Sequence, residues 1–379
     1  MKILIAPDSF KNALSALEVA NAIKRGLMKS LPGTEIIITP MADGGEGTVE
    51  SLIDATGGKL ISVRVHDPLM RIVESSFGIT GDGSAAVIEM AAASGIQLIT
   101  AEERNPWITS TWGTGELIRA ALDQGCQTIL LGIGGSATND CGMGMATALG
   151  VSFLGNEGNP VEQGGGALSQ VGRIDVSGLD PRIKDTNILV ACDVTNPLTG
   201  EKGASHVYGP QKGADESTVK KLDRNLADFA GIIRDQLGRD VENVPGAGAA
   251  GGLGAGLIAF LGAKLVEGVP AIAERIGLEE KIKEADLVIT GEGGMDFQTQ
   301  FGKTPYGVAR IAKRQNKPVI AVAGTLGEGI EALYKKGFDA IFSILDAPMS
   351  LEEAIKKTPL LLENTGETIG RLLKIGKLL

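Results

Sequence analysis

Residues 285–305 read ADLVITGEGGMDFQTQFGKTP: a short apolar run, a glycine-rich polar loop, and then the helical pattern of TPYGVARIAKRQN. Strand, loop and helix in that order form the repeating unit of a parallel α/β sheet. The closing Gly302-Lys303-Thr304 resembles the end of a nucleotide-binding P-loop, but the spacing fails. A Walker A loop needs glycine five positions before Gly302, where Phe297 stands, and Gly294 lies too far back. The stretch therefore predicts an open α/β sheet, and any phosphate chemistry must use another architecture.

The same alternation extends from this stretch toward both ends of the chain. KILIAP and EIIITPM at the N-terminus are buried-type strands. Ser15 and Glu18 form a Ser-x-x-Glu capping box for a helix through about Ser30, and TVESLIDATGG predicts the next helix. Downstream, PVIAVAG and AIFSIL are strands separated by a helix over GIEALYKKG, and a long helical pattern ends the chain. Between these blocks LISVRVHDP, IVESSFGITGD and SAAVIEMA read as a closely spaced antiparallel meander, followed by a helix near 115–124, the strands TILLGIG and NILVACD, and a polar helix around 220–236. The expected organisation is a discontinuous parallel-sheet domain over 1–60 and 285–379, with an inserted mixed-sheet domain over 61–284; TILLGIG fits either sheet.

Composition agrees with this fold class. The 379 residues include 54 glycines but only nine Phe, three Tyr and two Trp, which describes close backbone approaches and an aliphatic interior. A net charge of −10 without a long basic block argues against a grip on nucleic acid or an anionic membrane. Cys126, Cys141 and Cys192 match no zinc or redox spacing and read as reduced thiols of a cytoplasmic protein. Residues 245–263 are uncharged over about the length of a membrane span, yet their seven glycines favour a loop leading into a buried helix. Gly246, Gly248 and Gly251 spell G-x-G-x-x-G, but no strand precedes them, which argues against a dinucleotide site. His66 falls in a predicted strand and His206 in a polar loop, so a histidine triad or zinc centre has little support.

Ligands of open α/β sheets sit beyond the carboxyl ends of the strands. Those positions carry Asp8, Ser9 and Lys11; Asp43, Glu46 and Thr48; Ser136, Thr138, Asn139 and Asp140; Asp193 and Asn196; and Glu292, Asp296, Gln298, Thr299 and Lys303. Taken singly, each is an ordinary turn, cap or surface residue. Five loops sharing acids, small hydroxyls, glycines and lysines match the needs of phosphoryl transfer: carboxylates for Mg²⁺, a proton acceptor, and donors for phosphate oxygens.

APDSFK at 6–11, PMADGGEGT at 40–48, GIGGSATNDCGMGMATALG at 132–150, CDVTNPL at 192–198, GAAGGLG at 248–254, and the GEGxxDxQTxxGKxPxGVA pattern at 291–309 together resemble the type 1 glycerate kinase family, over essentially the whole chain. The resemblance implies ATP-dependent phosphorylation of D-glycerate, commonly to 2-phosphoglycerate, with Mg²⁺. It also implies two dissimilar α/β domains, one flavodoxin-like and discontinuous.

On this basis the active site is expected in the cleft between the domains. Asp193 is the expected base, Lys11 neutralises a phosphate or the substrate carboxylate, and Asp8 assists at the catalytic centre. Asp43, Ser9, Glu46 and Asn196 are expected to bind substrate; Gly134, Gly135, Ser136, Thr138, Asn139, Gly252 and Lys303 lie near nucleotide or phosphate; and Asp296 and Glu292 hold the metal. The competing readings are a kinase for another small hydroxy acid and a non-catalytic metabolite-binding regulator on the same fold. A homo-oligomer stays open, and so does the choice of glycerate hydroxyl.

Overall fold

The computed structural model describes residues 1–376. The chain opens with strands β1 (Lys2–Ile5) and β2 (Glu35–Ile38), joined by the helix Ala16–Ser30. It then forms β3 (Lys59–His66), β4 (Ile72–Ile79), β5 (Ala85–Glu89), β6 (Thr128–Gly132), β7 (Ser152–Leu154), β8 (Arg173–Asp175), β9 (Asn187–Ala191) and β10 (Lys264–Val266). It ends with β11 (Leu287–Met295), β12 (Val319–Leu326), β13 (Ala340–Ser343) and the helix Leu351–Gly376. These elements form two compact units. The first comprises Met1–Asp43, Glu50–Gly57 and the residues from Gly268 onward; the second comprises Gly44–Val49 and Gly58–Glu267.

The first unit is a five-stranded sheet in the order β13-β12-β11-β1-β2, with every pairing parallel. Counted along the chain within the unit, this is the order 2-1-3-4-5, the flavodoxin-like arrangement. Ile3, Leu4 and Ile5 are all fully buried. Successive strand residues point to opposite faces, so both faces of β1 are covered, as a parallel sheet requires. Part of that cover is the helix Ala16–Ser30, which buries Val19, Ala20, Ile23 and Leu27 on one stripe. The predicted capping box starts it: Ser15 Oγ accepts from the Glu18 N–H at 3.3 Å, and the Glu18 carboxylate accepts from the Ser15 N–H at 2.8 Å. Its partner is the helix Leu351–Gly376. A Cβ on Gly26 would collide with the Glu363 carbonyl, and one on Gly366 would come within 2.5 Å of the Ile23 carbonyl. The two helices cross where neither has a side chain.

The second unit is a six-stranded mixed sheet, β10-β9-β6-β5-β4-β3. The meander is present, with β3, β4 and β5 antiparallel, and β6, β9 and β10 then add in parallel. TILLGIG belongs here, as β6. Phe153, Phe229 and Phe260 meet at centroid distances of 5.4–6.4 Å, an aromatic knot in a mostly aliphatic core. The uncharged stretch at 245–263 is the buried helix Ala249–Leu261, preceded by turns. Among the described residues no helix is long and apolar enough to cross a membrane.

Several elements differ from the sequence reading. The first unit resumes at Gly268, ahead of the expected 285, because the helix Gly268–Arg275 packs on the helix Thr304–Arg314: a Cβ on Gly307 would collide with the Val269 side chain. GIEALYKKG is a 3₁₀ segment, Ile330–Lys336, between left-handed Gly329 and Gly337. His206 lies in a short helix, Ala204–Tyr208. The hairpin β7–β8 had no clear sequence signal, since each strand is three residues long.

The Gly26 crossing and the Ser15 cap contribute on different scales. Replacing Gly26 with Val should cost about 3 kcal/mol or more, by forcing two packed backbones apart. Ser15→Ala should cost about 1 kcal/mol. Urea unfolding of the two variants checks the order, and a Gly26→Val protein as stable as Ser15→Ala would refute the close crossing.

Candidate active site

From β1 the chain crosses to β2 on one side of the sheet and later to β11 on the other. Such a switch point leaves a crevice at the carboxyl ends of the two diverging strands. Pairing of β1 with β11 ends at Ile5 and Ile289, whereas β11 runs on beside β12 to Met295. Beyond β1, Asp8 stays attached to β11 by its N–H, which donates to the Gly291 carbonyl at 2.8 Å. This brings Asp8 to the same place as Glu292, although 283 residues separate them.

Two hydroxyls hold these acids. Thr304, fully buried at the start of the helix Thr304–Arg314, donates to Asp8 Oδ2 at 2.6 Å; Thr299, also fully buried, donates to Glu292 Oε1 at 3.0 Å. Asp8 Oδ1 accepts from the Ser9 N–H at 2.6 Å. Lys303 Nζ lies 3.6 Å from Glu292 Oε1 and 3.5 Å from the Gly294 carbonyl. Burial nevertheless dominates both carboxyls. It pushes Asp8 up to about 6, reinforced by the nearby charge of Asp43 and opposed by Thr304, the Ser9 N–H and Lys11. It pushes Glu292 up to about 7, reinforced by Asp8 and opposed by Lys303 and Thr299. Two acids at one switch point thus carry negative charge that the protein leaves partly uncompensated, which marks a functional site better than any single residue does.

Among the described residues no group of three or more His, Cys, Asp or Glu side chains is assembled to hold a metal ion. Mg²⁺ needs no such cage, because it commonly takes one or two carboxylates and completes its octahedron with water and substrate phosphates. The charge on Glu292 and Asp8 fits that use. Asp296 is less available: its Oδ1 accepts from the Gln298 N–H at 2.7 Å and caps the 3₁₀ turn Phe297–Gln300. Lys11 is exposed on the loop after β1, and Asp43 belongs to the Asp8 group by its field.

The second unit gathers the other candidates at the carboxyl ends of β6 and β9. After β6, Gly134 and Gly135 are exposed at the tip of a turn, Gly135 with φ 74°, and Ser136 lies just beneath. The turn is pinned by Ile96 N–H to the Gly135 carbonyl (2.9 Å), by Ala137 N–H to the Ser94 carbonyl (3.0 Å) and by Thr109 Oγ1 to the Ala137 carbonyl (2.9 Å). Asn139 is buried against Ser205 at 3.2 Å. Asp140, fully buried, accepts from the N–H groups of Thr111, Gly142 and Gly144 and from the Thr111 hydroxyl. Burial raises its pKa against those four donors.

Asp193 is exposed just past β9. Asn196 already uses its amide, donating to the Lys202 carbonyl at 2.8 Å and accepting from the Tyr208 hydroxyl at 2.8 Å. Gly252 has φ 87°, and a Cβ there would come within 2.8 Å of the Leu198 side chain and 3.0 Å of the Cys141 backbone, so packing and backbone geometry account for it. Glu46 is exposed in the Gly44–Val49 segment of the second unit.

Two site residues, Thr304 and Lys212, escaped the sequence reading, and Thr299 is named there without its role. Thr304 and Thr299 stand in a recognisable motif, but their role needs the fold. Lys212 is only 2% exposed, and nothing in QKGADEST announces a buried ammonium.

Asp8 has a folded-state pKa raised above its unfolded value, so the folded protein binds more protons between roughly pH 4 and 6, and stability falls as pH rises through that window. Asp8→Asn should therefore stabilise the protein by about 1 to 3 kcal/mol at pH 8 and lose the advantage below about pH 4. Thermal unfolding across that range checks this, and a destabilised variant at pH 8 would contradict it.

The glycerate kinase family model matches residues 3–374. A glycerate kinase of Halalkalibacterium halodurans is 54% identical, with 97% of each chain covered. A glycerate 2-kinase of Escherichia coli K12 is 52% identical over 94% of this chain and 93% of its own. The crystal structure of the Salmonella typhimurium LT2 protein assigned as glycerate kinase 2 superposes with a TM-score of 0.93 at 49% identity, covering both chains fully. With its fold, its switch point and these relatives in agreement, the chain belongs to the glycerate kinase family.

Proposed function

We propose that the protein transfers the γ-phosphoryl group of ATP to a hydroxyl of D-glycerate, giving 2-phosphoglycerate and ADP, as a type 1 member of its family. The observation that supports this most is the pair of partly buried, partly uncompensated acids, Asp8 and Glu292, at the flavodoxin-like switch point. Mg²⁺ held by Glu292, with Asp8 nearby and with Asp296 through the carboxylate oxygen its capping bond to Gln298 leaves over, would supply charge neutralisation for phosphate oxygens. Lys11, exposed on the loop after β1, meets phosphate or the substrate carboxylate, and Lys303 keeps Glu292 oriented. Asp43, Ser9, Glu46 and Asn196 orient the substrate in this reading, and the turn from Gly134 to Asn139 receives phosphate. Three free cysteines fit a reducing, cytoplasmic compartment.

In the transfer the glycerate oxygen bonds to the γ-phosphorus, the bond to the bridging oxygen of ADP breaks, and the hydroxyl proton passes to a carboxylate. Asp193, exposed at the end of β9, is the assigned base. A second reading is favoured by one observation: Asp8, held by Thr304 and titrating at about 6, is poised as a proton acceptor near neutral pH.

Phosphorus NMR of the product from ATP and D-glycerate tests acceptor, reaction and position together; a 2-phosphoglycerate resonance is expected, and its absence would reject the assignment. Asp193→Asn should lower kcat by roughly a hundredfold or more with KM for ATP little changed. Near-normal turnover in Asp193→Asn together with collapse in Asp8→Asn would transfer the role to Asp8. Lys11→Met should reduce kcat/KM, and unchanged values would place that ammonium outside the reaction.

A further inference from the structure

Lys212 ends a short 3₁₀ turn, Pro210–Lys212, in the second unit. The next residue, Gly213, is left-handed at φ 95°, and a Cβ there would collide with the Arg104 carbonyl. The backbone at 212–213 is thus pressed inward, and the lysine side chain has no route to solvent. Its Nζ donates to Ser136 Oγ at 2.7 Å and to the Thr138 carbonyl at 2.7 Å. Both partners belong to the turn that follows β6.

A hydroxyl oxygen that accepts from an ammonium keeps its own hydrogen for another acceptor, and the cation strengthens it as a donor. Ser136 Oγ has no second partner among the described residues. Thr138 Oγ1, buried in the same turn, has none at all. The free hydrogen of the Ser136 hydroxyl, the unpartnered Thr138 hydroxyl and an internal amine therefore share one turn with the exposed glycines at 134 and 135.

We propose that Lys212 is a positioning residue for phosphate binding: by donating to Ser136 Oγ and the Thr138 carbonyl, it turns the Ser136 hydroxyl into a polarised donor for a phosphate oxygen at the Gly134–Asn139 turn. This rests on the reading of that turn as phosphate-binding and adds the residue that makes it so. The balance of charge around the amine agrees. Burial depresses Lys212 to about 7, opposed by the charge of Asp140, so an arriving anion would stabilise the ammonium form. The phosphate could belong to the nucleotide or to the phosphorylated product; both present the same oxygens.

The test measures KM for ATP and the inhibition constant of 2-phosphoglycerate in Ser136→Ala, Lys212→Met and the double variant, with thermal unfolding as a control for folding. Each single variant should weaken one of the two ligands by about tenfold, and the double variant should be no worse than either single one. Which constant moves identifies the source of the phosphate. If Ser136→Ala leaves both constants unchanged, the turn does not bind phosphate and the underlying reading fails. If Ser136→Ala weakens a ligand and folded Lys212→Met does not, the turn stands and the role of Lys212 is overturned. Should Lys212→Met not fold, lysine carbon NMR of the wild-type protein decides. A titration midpoint near 7 that rises on adding ATP or 2-phosphoglycerate supports the proposal, and an unmoved midpoint overturns it.

Discussion

The parallel pairing of β1 with β11 is the constraint on which the first unit depends. Ile3, Leu4 and Ile5 lie in register with Leu287, Val288 and Ile289, and the hydrogen bonding continues through Ala6 and Asp8 to Gly291. No local signal makes this pairing. It closes a loop of more than 280 residues and is stabilised by burial on both faces of the sheet, where β1 exposes essentially nothing of Ile3, Leu4 and Ile5. Its consequence is chemical. The strands diverge beyond the apolar residues, and the first charged groups there are Asp8 and Glu292, two acids the chain could not otherwise bring together.

That meeting has an energetic cost, and the surrounding threonines limit it. Thr304 and Thr299 each give one hydroxyl to one carboxylate, and Lys303 approaches Glu292 without forming a short contact, at 3.6 Å. A tighter ion pair would compensate Glu292 fully and leave little field for a cation or a phosphate. The second unit shows the opposite treatment of a buried acid. Asp140 is surrounded by four donors and braces the residues around Thr111 and Gly144. The fully buried carboxylates Asp140 and Asp67 hold structure, whereas the less enclosed Asp8 and Glu292 are left with capacity to bind.

Much of this could be read from the amino acids. Strands bounded by Gly, Pro and Asp announced both sheets, and Ser15 with Glu18 announced the start of its helix. The rule that ligands lie beyond strand ends narrowed 46 acids to a short set that includes Asp8 and Glu292 beside Asp43, Glu46, Asp140, Asp193 and Asp296. What stayed hidden depends on tertiary packing. The return to the first unit at Gly268 is set by Val269 against Gly307, a contact with no periodic signature. Lys212 reads as a surface lysine until the left-handed turn at Gly213 drives it inward. Asp296 and Asn196 illustrate the converse: both stand where a ligand residue is expected, and both already spend polar atoms on capping or bracing their own loops.

The central claim is that the β1–β11 switch point holds two carboxyls whose charge is only partly compensated. Carbon NMR titration of labelled Asp8 and Glu292 carboxyls, assigned with Asp8→Asn and Glu292→Gln, measures it directly. The structure predicts midpoints of about 6 for Asp8 and about 7 for Glu292. Two midpoints near 4, the ordinary range for solvated carboxylates, would contradict it.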